Sequence, residues 1–174
     1  MTNSFLLPDF ISRSVERSSV AVALTYGKQS IRYAELERAI DGFVSGMLGL
    51  GLRRGERIAI YLEKRFETVI ASFGATAAGC LFVPLNPLPK PNQIAYIQRD
   101  CNVRALVTSS ERLTMLASAL DACSDLRHVA LVNAETPTTG AGAVGYLGKS
   151  ARLSRTSGLH RSTSLSPHAN QKDN

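Results

Sequence analysis

Two glycine-rich patterns late in the chain have the residue types and spacing of phosphate-binding loops. Gly140, Gly142 and Gly145 match the spacing GxGxxG of dinucleotide-binding folds. The overlapping run at residues 143–150, AVGYLGKS, resembles the loop of nucleotide triphosphatases, with Lys149 as its lysine. Such loops leave a buried strand and open a helix, so that backbone N–H groups and the helix dipole face the phosphate. Here no strand directly precedes the glycines and no amphipathic helix follows. We therefore interpret both patterns as chance matches, and keep a small phosphate-binding protein that uses residues 143–150 as an alternative.

The cysteines and histidines do not form a recognisable ligand or catalytic set. Cys80, Cys101 and Cys123 are widely spaced in apolar surroundings, without a CxxC pair. This usage predicts buried free thiols in a reducing cytoplasm. His128 falls in a predicted strand, and the other two histidines lie near the end of the sequence with no carboxylate and nucleophile around them. The sequence therefore predicts no catalytic, cofactor-binding or metal-binding residue.

Length and charge exclude several classes of protein. The 174 residues are 44% hydrophobic and 20% charged, which is typical of one globular domain. Most of the net charge of +6 comes from the basic residues after position 148. The net positive charge of residues 1–148 is therefore too small to indicate binding to nucleic acid. The uncharged run between Glu67 and Lys90 is interrupted by glycine and proline, which favours a buried core over a membrane span. With no signal-peptide pattern at the start, we expect a cytoplasmic protein.

The core of the chain is predicted to be a strand, a helix and a second strand within residues 53–87. Residues 57–62 (RIAIYL) and 80–85 (CLFVPL) are short apolar runs, and residues 66–79 are long enough for a helix. The predicted inner face of that helix consists of Phe66, Val69, Ile70, Phe73 and Ala77. This βαβ pattern usually has parallel strands that are buried on both faces.

Further elements alternate around this unit. We predict a helix at residues 5–15, a hairpin at 20–32, helices at 91–101 and 109–123, and strands at 105–108 and 126–132. The clearest helix has the apolar repeat Leu36, Ile40, Phe43, Met47 and Leu50, with Gly51 as its C-terminal cap. Its internal glycines, at positions 42, 46 and 49, predict a close approach to a neighbouring element.

These elements define the fold class and the domain organisation. Alternating strands and helices predict an α/β fold with a mainly parallel sheet flanked by helices. Residues 1–133 form the predicted domain. Residues 134–174 are rich in Ser, Thr and Gly and carry few large apolar side chains, so we expect a low-complexity, disordered tail.

Four segments in succession resemble the N-terminal portion of the AMP-forming acyl-CoA synthetases, a group of the adenylate-forming superfamily. Residues 31–36 (IRYAEL) resemble its L-[ST]-Y-x-E-L motif, and residues 50–59 (LGLRRGERIA) its LGV-x-x-GD-x-VA segment. Residues 75–86 (ATAAGCLFVPLN) resemble its A-x-x-A-G-x-x-x-VPLN segment, and residues 93–108 its E-x-x-Y-x-L-x-D-x-x-x-x-x-LVT segment. The sequences of residues 99–109 (RDCNVRALVTS) and 125–133 (DLRHVALVN) most resemble those of the acyl-CoA ligases associated with exosortase systems. Arg32 and Gln93 depart from the motifs, which have Ser or Thr and Glu at these positions.

The resemblance implies both a parent reaction and a fragment of the parent enzyme. The family activates a carboxylic or fatty acid with ATP and Mg²⁺ to an acyl-adenylate and transfers the acyl group to CoA. Its phosphate loop, magnesium-binding glutamate, ribose-binding aspartate and catalytic lysine have no counterpart in this sequence. We therefore expect a truncated or frameshifted N-terminal fragment that is inactive alone and that binds no cofactor itself. Association with a full-length synthetase would be one role for it, and a small non-catalytic α/β interaction or regulatory module is the alternative.

Overall fold

Five helices and seven strands alternate through the residues described by the computed structural model, which are 7–86, 88, 90–132 and, for the backbone alone, 144–148. In chain order they are α1 (Asp9–Ser18), β1 (Val22–Tyr26), β2 (Gln29–Arg32), α2 (Tyr33–Gly49), β3 (Arg57–Tyr61), α3 (Phe66–Ala77), β4 (Leu81–Pro84), α4 (Pro91–Asp100), β5 (Val103–Ser109), α5 (Ser110–Leu120), β6 (His128–Val132) and β7 (Val144–Gly148).

The central sheet contains five strands in the order β4-β3-β5-β6-β7. β3 pairs in parallel with β4 and β5, and β5 pairs in parallel with β6. β1 and β2 form a separate antiparallel hairpin. The predicted α/β class with a mainly parallel, helix-flanked sheet is therefore confirmed.

Two hydrophobic cores lie on the opposite faces of this sheet. The first joins α2 and α3 to side chains such as Ile58 and Ile60 of β3. The second joins α4 and α5 to the alternate positions of the same strands, including Ala59 and Leu106. Because side chains of a strand point alternately to the two faces, β3, β5 and β6 need apolar residues at almost every position. Their near-continuous apolar runs are thus explained by helices on both sides.

The best-predicted helix is α2, and local interactions fix both of its ends. At its start, the Glu35 carboxylate accepts a hydrogen bond from the Arg32 backbone N–H at 2.8 Å, which satisfies a donor outside the helix. Just beyond its end, Gly51 has a φ of +78°, a left-handed conformation that glycine adopts without steric cost. Leu36 and Met47 are among its fully buried side chains, as the apolar repeat predicts.

A close approach of two helices does occur, but not at the predicted glycines. A Cβ atom at Gly42 or Gly49 would meet no atom within 4 Å, so the prediction is wrong at these two positions. In α3, a Cβ atom at Gly74 would lie 2.5 Å from Cδ1 of Phe43. The close contact is therefore between the backbone of α3 and an aromatic ring of α2.

This contact also changes which face of α3 is buried. The buried residues are Ile70, Ala71, Gly74 and Ala75, whereas Ala77 of the predicted face is exposed. Phe66 and Phe73 only pack against the edge of the core. The prediction is confirmed at Ile70. The other buried positions carry small residues, which let the α3 backbone approach α2, and a pattern of large apolar residues does not reveal this preference.

Strand β4 is an edge strand, contrary to the prediction that both strands of the βαβ unit are buried. It pairs with β3 alone among the described residues. Leu81 is 58% exposed and Phe82 is 38% exposed, and these successive residues lie on opposite faces of the sheet. Each face of β4 is therefore partly uncovered at its start.

Strand β7 lies inside the segment for which we expected no regular structure. Its backbone pairs antiparallel with β6, with Val144 opposite Val132 and Gly148 opposite His128. The sequence did not predict this strand. Without β7, strand β6 would be the edge of the sheet with a row of unpaired backbone groups, and the backbone of residues 144–148 pairs with them. The other residues of that tail lie outside the described part of the chain.

Candidate functional site

The glycine patterns do not form a phosphate loop in the part that is described. Gly145 lies within β7, in an extended strand paired with β6, whereas a phosphate loop turns directly into a helix. Gly140, Gly142 and Lys149 lie outside the described residues, as do the last two histidines. The local geometry at Gly145 thus supports the interpretation of a chance match.

The three cysteines are free thiols, and two of them are buried. Cys80 and Cys123 are 4% and 2% exposed, as predicted, but Cys101 is only half-buried. Burial raises the pKa of the Cys80 thiol, and the nearby Glu56 carboxylate raises it further. No group of three His, Cys, Asp or Glu side chains in the described ranges is arranged to hold a metal ion. These described residues therefore offer no metal site built from three or more protein side chains.

The segments that carry the family resemblance have structural roles. In the second segment, Gly55 adopts a φ of +81° in the turn before β3, and the Glu56 carboxylate closes that turn by accepting a hydrogen bond from the Arg53 N–H at 2.8 Å. In the third segment, the Asn86 side chain accepts a hydrogen bond from the Leu88 N–H at 3.0 Å in the turn after β4. These contacts explain why these residue types stand at these positions.

A charged network joins the amino ends of the parallel strands. The Arg104 guanidinium contacts the Asp125 carboxylate and lies 3.5 Å from Glu56. Asn102, in a left-handed conformation after α4, donates a hydrogen bond to Asp125 at 3.0 Å. The pKa of Asp125 is lowered below its usual range, mainly by the hydrogen bond from Asn102 and next by the hydrogen bond from Arg104. Since ligands of open α/β sheets bind at the opposite edge, this network is a structural one.

The carboxyl ends of β3 and β5 meet at the point where the chain reverses its direction of winding. From β3 the chain enters α3 in the first core, and from β5 it enters α5 in the second core on the other face. Ligands of open α/β sheets bind in the crevice outside the strand ends at such a reversal. We call the region around Tyr61 and Ser109, the last residues of β3 and β5, the switch point.

Three side chains form a stacked, charged arrangement at the switch point. The Arg112 guanidinium lies over the ring of Tyr61, with Cζ at 4.6 Å from the ring centroid, and its Nη2 is 2.8 Å from Oε1 of Glu63. The Tyr61 residue is 4% exposed and the Arg112 side chain 12%, whereas the Glu63 side chain is 69% exposed. The cation is therefore nearly enclosed, and its acidic partner lies at the rim.

The neighbouring groups hold this arrangement in place. The Ser109 hydroxyl caps α5 by accepting a hydrogen bond from the Arg112 N–H at 3.4 Å. The buried Thr108 hydroxyl donates a hydrogen bond to the Tyr61 carbonyl oxygen at 3.1 Å and ties the two strand ends together. In the loop after β3, Arg65 forms two hydrogen bonds with Glu67, at 2.7 and 3.0 Å. Both arginines at this edge are thus paired with a carboxylate of the chain itself.

Such an arrangement can recognise an anion, because a guanidinium offers a planar set of N–H donors and stacks on aromatic rings. Sequence reasoning missed it, since Glu63 and Arg112 are 49 positions apart and neither belongs to a spaced motif. The available signal was topological: two predicted strands that end beside each other, each followed by a polar residue before a helix.

Comparison with known proteins gives a family match over most of the chain. Residues 11–163 match the sequence profile of the family described as "AMP-binding enzyme". N-(5-amino-5-carboxypentanoyl)-L-cysteinyl-D-valine synthase of Streptomyces clavuligerus is 29% identical over 118 residues, which is 67% of this chain and 15% of that protein. Crotonobetaine/carnitine–CoA ligase of Salmonella paratyphi B is 29% identical over 106 residues, which is 60% of this chain and 20% of the ligase.

The fold comparison agrees with the family match. The crystal structure of the anthranilate CoA ligase AuaEII in complex with anthranoyl-AMP superimposes with a TM-score of 0.70 at 25% identity. The match covers 74% of this chain and 25% of that one. The chain therefore spans about a quarter or less of each of these three relatives. Among the described helices, none is both long and apolar enough to cross a membrane.

Proposed function

The chain belongs to the AMP-binding enzyme family, and from this premise we propose that it is the N-terminal part of a ligase that activates a carboxylic acid with ATP and transfers the acyl group to CoA. The observation that carries this proposal is the family match over residues 11–163, together with the parallel α/β sheet shared with an anthranilate CoA ligase. CoA as the acceptor and ATP with Mg²⁺ as the cofactors belong to this proposal, as does cytoplasmic location. Membership of the acyl-CoA ligases associated with exosortase systems remains a prediction.

We further propose that this chain does not form an adenylate by itself. Attack of a carboxylate on the α-phosphate of ATP needs preorganised positive charge around the developing phosphorane. At the switch point, Arg65 is bound by Glu67 through two hydrogen bonds, and Arg112 is paired with Glu63. A single exchangeable guanidinium can hold one small anion, but it is not a cradle for a triphosphate.

The experiment is an ATP–pyrophosphate exchange assay on the purified chain with a panel of carboxylic acids that includes anthranilate and benzoate. We expect no exchange above the level without acid, while circular dichroism shows a folded protein. A full-length synthetase of the family serves as the positive control. Exchange that requires both ATP and acid would refute the proposed inactivity, and its loss in Lys149→Ala would favour the phosphate loop at residues 143–150.

A second candidate is a non-catalytic α/β interaction module, which the exposed apolar side chains of β4 favour. Leu81 and Phe82 occupy a strand edge whose outer backbone groups have no partner among the described residues. An interaction module predicts a monodisperse species with one cooperative unfolding transition. A severed part of a larger enzyme predicts self-association through the uncovered surface, which sedimentation velocity measures directly.

A further inference from the structure

We propose that Arg112 is a carboxylate-binding residue, and that Glu63 occupies its binding position as an exchangeable internal ligand. The proposal concerns binding at the switch point. It does not depend on adenylate formation, because a carboxylate can be held there whether or not the chain takes part in catalysis.

The guanidinium of Arg112 is held in a fixed orientation before any ligand arrives. Its Cζ lies 4.6 Å from the centroid of the buried Tyr61 ring, and its side chain is 12% exposed. The backbone of Arg112 is fixed in the first turn of α5, whose cap is Ser109. An arginine fixed in this way loses little conformational entropy when it binds a ligand.

The existing ion pair uses only a small part of the capacity of Arg112. A guanidinium has five N–H donors, and two of them can bind the two oxygens of one carboxylate in parallel. The Glu63 carboxylate takes one hydrogen bond, from Nη2 at 2.8 Å. Within the described residues, the other side-chain N–H groups of Arg112 donate to no protein acceptor. Glu63 thus accepts one hydrogen bond from the Arg112 guanidinium, which has the donors to form two parallel hydrogen bonds with one carboxylate.

The partner is also easy to displace. The Glu63 side chain is 69% exposed, and exposed ion pairs contribute little to stability because water competes well for both charges. A ligand that binds through two hydrogen bonds would return Glu63 to solvent, where it is fully hydrated. The loop after β3 then needs no rearrangement beyond this one side chain.

The surrounding charge favours a carboxylate over a phosphate. Glu63, Glu67 and Glu111 all lie at this edge of the sheet, and Glu111 accepts a hydrogen bond from the Ser109 hydroxyl at 3.2 Å. These three carboxylates are matched by the positive charges of Lys64, Arg65 and Arg112, so a dianion would leave more unbalanced negative charge at this edge than a monoanion. The structure therefore assigns the ligand to the class of single carboxylates, of which acetate is the simplest probe.

The test follows the arginine side-chain Nε–H signals of the full ¹⁵N-labelled chain while sodium acetate replaces sodium chloride at constant ionic strength. The Arg112 signal is identified by its loss in Arg112→Lys, which keeps the charge but removes the planar donor set. We expect this signal to shift with saturation. Glu63→Gln should strengthen acetate binding by about twofold to fivefold, the range expected when a competing exposed ion pair is removed.

The matched control is Glu67→Gln, which removes the carboxylate from Arg65 at the same edge, where no aromatic ring of the described residues lies under the guanidinium. This variant should leave the acetate affinity of Arg112 unchanged. Equal affinity in Glu63→Gln and the wild type, or an equal gain in Glu67→Gln, would overturn the proposal and leave a purely structural ion pair. Tighter binding of inorganic phosphate than of acetate would overturn the carboxylate assignment. Because the assay contains no ATP, its result is independent of the adenylation assay.

Discussion

The polar side chain of Gln98 is buried in this fold, and we predict that Gln98→Met stabilises the protein. Gln98 lies on the inner side of α4 beside Ile94 and Ala95 and is 1% exposed. Neither the oxygen nor the nitrogen of its carboxamide has a hydrogen-bond partner in the described part of the chain. Methionine has a similar length and flexibility and carries no strongly polar atom.

The magnitude follows from the desolvation of the amide. Burying a polar group without a partner costs about 1–3 kcal/mol, and replacement by an apolar group of similar shape removes that cost. Gln98→Met should therefore raise the free energy of unfolding by about 1–3 kcal/mol. Each kcal/mol corresponds to roughly 2–8 °C in Tm for domains of up to about 250 residues.

Urea unfolding followed by circular dichroism measures this change. Gln29→Met is the matched control, because Gln29 is exposed in β2 and the same substitution there should change stability by less than about 0.5 kcal/mol. A lower midpoint for Gln98→Met than for the wild type would refute the reasoning. It would mean that the carboxamide makes hydrogen bonds, for example to an enclosed water molecule, which methionine cannot replace.

Three further predictions test other contacts of the same fold. Gly74→Ala should lower the free energy of unfolding by about 1–3 kcal/mol, because the added Cβ atom would overlap the ring of Phe43 in α2. Gly42→Ala should raise the free energy of unfolding by up to about 1 kcal/mol, because its Cβ atom would meet no other atom and alanine favours a helix. Urea unfolding of the two variants measures both changes. Asp125→Asn should destabilise the protein at neutral pH, and the difference from the wild type should shrink in acid. Because the pKa of Asp125 is lowered in the folded state, the stabilisation from its carboxylate is present above the ordinary pKa of about 4 and is lost as the pH falls through the lowered value. Urea denaturation at a series of pH values detects this change. Cys101 should react with a thiol reagent before Cys80, whose buried thiol has a raised pKa, and peptide mapping by mass spectrometry gives the order.

The elements that could be predicted from sequence are those whose signals are local. The hairpin and α5 are predicted with the correct type and nearly correct ends, and α2 with the correct type and C-terminal cap, because an apolar repeat or a capping residue such as Ser109 marks them directly. The parallel pairing of β3 with β4 follows from the length of the helix between them. In each case, the information needed lies within about 30 consecutive residues.

The predictions that failed depend on contacts between distant segments. The buried face of α3 is set by Phe43 of α2, so the small residues Ala71 and Gly74 take the inner positions that a local pattern assigns to large ones. The exposure of β4 depends on the strand order, because the chain crosses back over β3 to form β5 and leaves β4 at the edge. β7 was missed because its pairing is provided by β6 and not by a strong pattern of its own.

The same reasoning explains why the candidate site could not be predicted from sequence. Each motif that resembles the family fixes a turn or a helix end within a few residues, as Glu35 and Glu56 do, and such roles leave a local pattern. Arg112 and Glu63 meet only because β3 and β5 become neighbours with helices on opposite faces, which is a property of the topology. Local motifs thus mark turns and helix ends, whereas the switch point joins residues that no local pattern connects. For a chain of this kind, the strand order has to be known before the residues at its binding edge can be named.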